Sequence, residues 1–182
     1  MTPIPRICFF GPESTGKTTL SQALGTHFSC PVIPEYGRIY SEKYDPEVWA
    51  KEDFLKIAWG HIALRHVAER TAPKLIIEDT DPVATAVWSD QLGVSRDPWF
   101  AQYHETADLY LLMDIDLPWV DDGVRYWPDE ARREAFKQAC VQELEQRDLT
   151  YVLLSGDWDA RQAKAIAEAQ KFLTRKGIDL SV

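Results

Sequence analysis

The feature that most constrains this sequence is the turn GPESTGKT, residues 11–18, between an apolar run and an amphipathic segment. The run Ile7–Phe10 has the length and composition of a buried strand, and the segment that begins at Lys17 places Leu20 and Leu24 at helical spacing. The turn fits the pattern G-x-x-x-x-G-K-[ST] in the strand–turn–helix context which that pattern requires. We therefore expect a parallel sheet with helices packed on its faces.

The residue types in this turn suit phosphate binding. Gly11 and Gly16 permit backbone conformations that other residues avoid, so that consecutive N–H groups can point at phosphate oxygens, and the following helix directs its positive end to the same place. Lys17 would reach the β- and γ-phosphates, and the Thr18 hydroxyl would ligate Mg²⁺. The turn therefore predicts a site for ATP and Mg²⁺. The residues predicted to bind nucleotide here are Gly11, Glu13, Ser14, Thr15, Gly16, Lys17, Thr18 and Thr19.

Short apolar runs alternate with longer amphipathic segments along the chain, and this alternation predicts one α/β domain over residues 1–182. We expect a three-layer P-loop NTPase fold with a five-stranded, mostly parallel sheet and a helical lid at about residues 114–135. The predicted strands are Ile7–Phe10, Pro31–Ile33, Leu75–Ile77, Leu109–Met113 and Tyr151–Leu154. The predicted helices are Lys17–Phe28, Glu52–Arg70, Asp129–Arg147 and Ala160–Arg175.

Composition argues against several classes of partner. The 182 residues carry a formal net charge of −9, which disfavours nucleic acid and anionic membrane surfaces and favours a small cationic ligand. No apolar run is long enough to span a bilayer, and the first residues do not resemble a signal peptide. A small-molecule partner and a cytoplasmic location are expected, while the oligomeric state is left open.

Cysteine and histidine usage does not indicate a zinc site. Cys8, Cys30 and Cys140 are widely spaced, and their odd number fits a reducing compartment. His61 and His66 lie within a helical pattern, and both are interpreted as packing or surface residues.

An aspartate at the end of a neighbouring strand is needed to hold Mg²⁺ through water. Two candidates are Asp79, in LIIEDTD, and Asp114, in LYLLMDID. Asp79 is favoured because the third strand of P-loop folds usually lies beside the first. Asp114 is then expected to end its strand facing solvent.

Acidic residues at two strand ends are candidates for the acceptor side of a phosphoryl transfer. Glu35 would accept a proton from an acceptor hydroxyl, or would instead pair with Arg38. Asp81 would hold ribose hydroxyls, or would cap the helix that begins PVATAVW, and these two roles are compatible.

Two further segments supply candidates for contacts with ATP. Arg125, with Arg132 and Arg133 on the next helix, would close over the γ-phosphate; a solvated face is an equally good interpretation of Arg132 and Arg133. Trp158 and Arg161, after the last strand, would flank adenine, or the segment would only cap the final helix.

Several motifs together resemble one family, the ribosylnicotinamide kinase domain of NadR-type proteins. The matching stretches are GPESTGKTTL, EYGRIY, KIAWGH, DTD, PWVDDGVR and the weaker DWDAR, in family order over nearly the whole chain. The resemblance implies ATP-dependent phosphorylation of nicotinamide riboside at its 5′-hydroxyl, which yields nicotinamide mononucleotide. NadR proteins usually carry an adenylyltransferase domain, sometimes with a DNA-binding motif, before the kinase domain; those two activities are not expected of the present sequence.

The resemblance also assigns residues. It implies that ATP and Mg²⁺ bind at Gly11–Thr19. For the acceptor side it implies Glu35, Tyr36, Arg38, Asp79 and Asp81, and for the lid Trp119, Asp122 and Arg125. Two rivals remain: a kinase for another nucleoside or small hydroxyl compound, and a nucleotide-binding switch that controls a partner.

The proposed acceptor carries a permanent positive charge on its pyridinium ring. A pocket for it should offer aromatic faces and carboxylates and should avoid lysines. Tyr36 beside Glu35 fits this description, as does Trp119 beside Asp121 and Asp122, with Asp79 and Asp81 opposite. Trp119 would alternatively anchor the lid by packing on the sheet.

Overall fold

The computed structural model describes residues 3–119 and 129–179. The five strands are β1 (Arg6–Phe10), β2 (Val32–Ile33), β3 (Ile76–Asp79), β4 (Leu109–Met113) and β5 (Tyr151–Leu154). The helices are α1 (Lys17–His27), α2 (Tyr36–Ser41), α3 (Lys51–Glu69), α4 (Pro82–Gln91), α5 (Trp99–Gln102), α6 (Glu130–Gln146) and α7 (Trp158–Arg175), with a 3₁₀ turn at Pro46–Val48.

The strands form one sheet in the order β2–β3–β1–β4–β5. Every pairing in it is parallel. The predicted α/β fold is therefore confirmed, and the sheet that was predicted to be mostly parallel is fully parallel. β3 lies beside β1, with Phe9 opposite Asp79 in the register. This neighbourhood brings the end of β3 next to the turn that follows β1.

Alternate residues of the central strands pack on opposite faces of the sheet, which gives the three predicted layers. The face covered by α1 and α7 contains Ile7, Phe9, Leu111, Met113, Leu20, Leu24, Ala169 and Phe172. The face covered by α4 and α6 contains Cys8, Phe10, Tyr110, Leu112, Val87, Phe136, Cys140 and Leu144. α3 packs on α4 through a third cluster, which includes Phe54, Ala58, Ala86 and Phe100. Both faces of the sheet are therefore covered.

Carboxylate caps decide where three of the helices begin. The side chains of Asp81, Asp129 and Asp157 accept backbone hydrogen bonds at the starts of α4, α6 and α7. α7 accordingly begins at Trp158, two residues before the predicted start at Ala160. The short helices α2 and α5 were not predicted, because each has fewer residues than a periodic pattern needs to be recognised.

The middle of the predicted lid falls outside the described residues, since the structure describes nothing from 120 to 128. Its last part, which was predicted to be helical, is the beginning of α6. Among the helices of the described ranges, none combines the length and apolar character that a membrane span requires.

Candidate active site

The turn after β1 has the backbone conformation that its glycines predict. Gly11 and Gly16 have φ values of 129° and 89°, and Ser14 also lies in the left-handed region at 56°. A Cβ atom added at Gly11 would lie 3.1 Å from the carbonyl oxygen of Met113, so the turn is pressed against the end of β4. The Thr15 hydroxyl donates to the carbonyl of Pro12 at 2.8 Å and closes the loop on itself.

Lys17 lies inside this loop. Its Nζ donates to the carbonyl oxygens of Gly11 at 3.0 Å and Pro12 at 2.7 Å, and the side chain is buried. An ammonium group held by two carbonyls of the loop is placed where bound phosphates would meet the start of α1. The structure therefore puts the predicted cation at the centre of the loop.

Thr18 and Asp79 are brought together as the sequence predicted for a metal pair. The Thr18 hydroxyl donates to Oδ2 of Asp79 at 2.6 Å, while Oδ1 is buried without a hydrogen-bond partner in the described part of the chain. Burial raises the pKa of Asp79, and the charge of Lys17 opposes that rise. A hydroxyl beside an unpaired carboxylate oxygen suits Mg²⁺, which prefers oxygen ligands. Asp114, the other candidate, is half-buried and pairs with Lys137 at 3.0 Å.

A cleft extends from the loop toward α2, α3 and α4. Its volume is about 1090 Å³ when the solvent at its open mouth is included. Lys17, Thr18 and Glu35 line the end nearest the loop. The far side is largely aromatic and aliphatic, with Tyr36, Trp49, Phe54, Ile57, Trp88 and Leu92.

Glu35 stands at the start of α2 and faces this cleft. Burial raises the pKa of its carboxyl group, the charge of Lys17 opposes the rise, and Asp79 adds to it. Arg38 lines the same cleft and also favours the ionised form of Glu35. A carboxylate with a raised pKa beside the phosphate loop is a suitable proton acceptor.

The ring of Tyr36 is seated on α3 at a glycine. A Cβ atom added at Gly60 would lie 2.2 Å from Cε1 of Tyr36, so only glycine lets the ring approach the helix this closely. Glycine in a helix interior costs about 1 kcal/mol relative to alanine, and here that cost accompanies a close packing contact. The contact fixes one wall of the cleft.

Asp81 acts as a helix cap in the structure. Its Oδ1 accepts from the backbone N–H groups of Val83 and Ala84, and its Oδ2 accepts from the Tyr110 hydroxyl at 2.6 Å. The residue is buried and does not line the cleft, and the cap is the alternative that the geometry supports. Burial and the charge of Glu78 raise its pKa. Thr80, with a φ of 73°, turns the chain so that Asp79 and Asp81 point to different partners.

Trp158 and Arg161 take different positions. The Trp158 ring lies against the phosphate loop, where a Cβ at Gly16 would be 2.4 Å from its Cη2 atom, and 46% of the residue is exposed. Arg161 is 0% exposed, and its guanidinium donates to the carbonyls of Thr15 and Asp114, both at 3.1 Å. Trp158 thus presents an aromatic face near the loop. Arg161 instead hydrogen-bonds the backbone of the loop from beneath and presents no exposed surface to a base.

The structure describes only some of the predicted lid residues. Trp119 is half-buried, and its Nε1 donates to Oε1 of Glu13 in the phosphate loop at 3.3 Å. It is not among the residues that line the cleft. Asp122 and Arg125 lie outside the described residues. Arg132 is exposed on α6 and Arg133 is buried.

Sequence reasoning missed part of the cleft wall. Trp49, Phe54 and Trp88 line it, and so does His61, which was predicted to be a packing or surface residue. His61 is 2% exposed and contacts the buried Glu78. The signal that would have found it is the pair Gly60–His61 within KIAWGH, because a glycine beside a histidine in a helix interior indicates a close approach.

Comparison with known proteins connects this geometry to a family. Residues 6–161 match the family described as the AAA domain. The chain belongs to this family. The Trifunctional NAD biosynthesis/regulator protein NadR of Salmonella typhimurium is 28% identical to the chain over 177 residues. That match covers 94% of this chain and 43% of NadR, so the chain spans less than half the length of this relative.

Two solved structures share the fold of this chain. A crystal structure of NadR protein in complex with NR superposes with a TM-score of 0.82 at 25% identity, covering 98% of this chain and 53% of that one. A deoxyadenosine kinase from M. mycoides superposes with a TM-score of 0.62 at 11% identity, covering 91% and 99%, and shows the fold alone. This AAA domain therefore shares its fold with P-loop kinases and resembles part of NadR.

Proposed function

We propose that this protein is an ATP-dependent kinase that phosphorylates the 5′-hydroxyl of nicotinamide riboside to give nicotinamide mononucleotide. The observation that carries the proposal is the single cleft in which Lys17 and Glu35 lie beside the phosphate loop while aromatic side chains line the far side. The resemblance to a NadR structure with bound NR supports the choice of acceptor. We propose that residues 1–182 act as one kinase unit.

The residues of the loop suit the transfer step. The backbone N–H groups of residues 13–18 and the Lys17 ammonium would hold the transferred phosphoryl group and stabilise its charge. Thr18 and Asp79 would hold Mg²⁺, which supplies charge neutralisation at the β- and γ-phosphates. Arg125 is proposed to add a lid cation, and Trp158 to stack on adenine, with Arg161 supporting the loop.

Glu35 is proposed to act on the acceptor. The acceptor 5′-oxygen would attack the γ-phosphorus, the bond to the β–γ bridging oxygen would break, and Glu35 would take the hydroxyl proton. Arg38 would orient Glu35 through its charge, which already acts on this carboxylate. Tyr36 would complete the wall next to the ribose.

The rest of the cleft suits a cationic ring. Tyr36, Trp49 and Trp88 provide aromatic faces, and a cation over such a face gains about 0.5–2 kcal/mol. Lys17 is the one lysine among the residues lining the cleft in the described ranges, and it lies at the phosphate end. Trp119 and Asp122 are proposed to approach the acceptor from the lid, although Trp119 contacts Glu13 in this structure.

The test is the kcat/KM for nicotinamide riboside beside those for uridine, cytidine and adenosine, measured as acceptor-dependent ADP release. We expect nicotinamide riboside to exceed the neutral nucleosides by at least about tenfold, which is the effect of one such contact. Equal values, or a preference for a neutral base, would favour a general nucleoside kinase. ATP binding without any acceptor-dependent release would favour a nucleotide-controlled switch.

A further inference from the structure

His61 occupies a position that the proposed transfer mechanism leaves unused. It lies on α3 and lines the cleft together with Ile57, Thr80 and Thr85. His61 is 2% exposed. A buried imidazole at a cleft wall must satisfy both of its ring nitrogens.

One of the two nitrogens is already bonded to a carboxylate. Nε2 lies 3.4 Å from Oε1 of Glu78, and Nη1 of Arg6 lies 3.3 Å from the same oxygen and 3.4 Å from Oε2. A fully buried carboxyl group that pairs with a guanidinium is ionised and can only accept hydrogen bonds. Nε2 of His61 therefore carries the hydrogen in this contact.

The other ring nitrogen, Nδ1, can form a hydrogen bond with a ligand in the cleft. Among residues 3–119 and 129–179, no group hydrogen-bonds Nδ1 of His61. With hydrogen on Nε2, a neutral imidazole presents Nδ1 as an acceptor.

From this geometry we infer that His61 is a specificity-determining residue, whose Nδ1 accepts a hydrogen bond from a donor group of the nucleoside in the cleft. Nicotinamide riboside has two kinds of donor, the ribose hydroxyls and the carboxamide N–H. Glu78 and Arg6 are positioning residues, since they fix the tautomer and the orientation of the ring. This inference rests on the proposed function and adds to it the residue that recognises the acceptor.

Two variants of His61 separate a binding role from a structural one. In His61→Gln the amide N–H can still reach Glu78, but no acceptor remains near the position of Nδ1. In His61→Asn an amide oxygen lies near the position of Nδ1, but the contact with Glu78 is lost. His66→Gln, at an exposed position of the same helix, is the matched control.

We expect His61→Gln to raise the KM for nicotinamide riboside about tenfold, the effect of losing one hydrogen bond, with the KM for ATP and the thermal unfolding midpoint unchanged. His61→Asn should keep more of the acceptor affinity while unfolding at a lower temperature, and His66→Gln should behave as wild type. If His61→Gln matches wild type in acceptor KM, or raises both KM values equally, the inference is wrong.

A comparison of acceptors identifies the donor. In 3-acetylpyridine riboside the carboxamide is replaced by a methyl ketone, so the positive ring and the ribose are kept but the N–H group is absent. If the His61→Gln effect disappears with this compound, the donor is the carboxamide; if it persists, the donor is a ribose hydroxyl. Either result supports an acceptor role for His61. Failure of the wild type to phosphorylate nicotinamide riboside would instead contradict the proposed function, so the two failures are distinguishable.

Discussion

Lys17 shows how one side chain depends on its loop. Its ammonium group is held by the carbonyls of Gly11 and Pro12, and it is not part of either apolar cluster on the sheet faces. We therefore expect Lys17 to contribute more to phosphate binding than to the stability of the fold. The loop conformation, with Gly16 in the left-handed region, is what places the ammonium group there.

For Lys17→Ala we expect a folded protein whose kcat is lower by about 10²-fold or more, since one oriented charge at the transferring group is lost. The measurement is steady-state ADP release at saturating ATP, with circular dichroism to confirm the fold. Lys171→Ala, at an exposed position on α7, is the control for loss of a lysine. Turnover at the wild-type rate would exclude the proposed role of Lys17.

Glu35 and Asp81 were both candidates for the acceptor base, and their surroundings now distinguish them. Glu35 lines the cleft, whereas Asp81 is fully engaged with Tyr110 and the first turn of α4. We expect Glu35→Gln to lower kcat by about 10²-fold while the KM for ATP stays near normal. Asp81→Asn, which keeps an acceptor for the cap, should change kcat far less. The reverse pattern in the same assay would exchange the two roles.

At the scale of elements, α3 forms part of the cleft wall that is proposed to contact the acceptor, and Gly60 lowers the helix propensity of α3 at one position. Gly60 has no side chain, and the Tyr36 ring of α2 fills the space against it. His61, next in sequence, connects the same helix to Glu78 at the end of β3. Two adjacent residues of α3, Gly60 and His61, thus contact two other elements, α2 and β3.

Gly60→Ala should raise the KM for the acceptor about tenfold with little change in the KM for ATP, because the new Cβ displaces Tyr36 from the wall. The gain in helix propensity, about 1 kcal/mol, should offset part of the lost packing, so we expect a small change in the free energy of unfolding. Ala63→Gly, at an exposed position of α3, is the control: it should cost about 1 kcal/mol of stability and leave both KM values unchanged. An unchanged acceptor KM in Gly60→Ala would show that Tyr36 is not part of the acceptor wall.

At the scale of the whole molecule, Arg161 connects segments from three parts of the chain. It donates to the carbonyls of Thr15 in the phosphate loop, Asp114 after β4 and Gly156 after β5, and it pairs with Asp116. Since Arg161 is fully buried, its loss would leave these carbonyls short of a donor. The carboxyl ends of the strands are held together at this residue.

We expect Arg161→Met to lower the free energy of unfolding by about 2–3 kcal/mol and to raise the KM for ATP, because the loop loses its support from beneath. Urea denaturation and ATP kinetics measure the two effects. Arg175→Met, at an exposed position in the last turn of the same helix, should change neither. If Arg161→Met destabilised the protein without any change in the KM for ATP, Arg161 would support the fold but not the nucleotide site.

The sequence by itself determined the strand–turn–helix unit, the five strands and the α/β fold with a mostly parallel sheet, because these follow from local periodicity and from a turn whose glycines can adopt the conformation that the loop requires. It also selected Asp79 over Asp114, through the expected neighbourhood of β1 and β3, and the contact of Thr18 with Asp79 agrees with that choice. Local patterns carry this information because strand and helix periods are set by the backbone.

Only the tertiary structure decided how the polar residues share the site. Asp81 accepts a hydrogen bond from Tyr110, Arg161 is buried beneath the loop, and His61 faces both Glu78 and the cleft; each of these contacts involves a partner far away in sequence. A carboxylate, a guanidinium or an imidazole looks the same in the sequence whether it binds a ligand or satisfies a buried backbone group. What separates the two is burial and the availability of partners, which arise only when distant segments pack together.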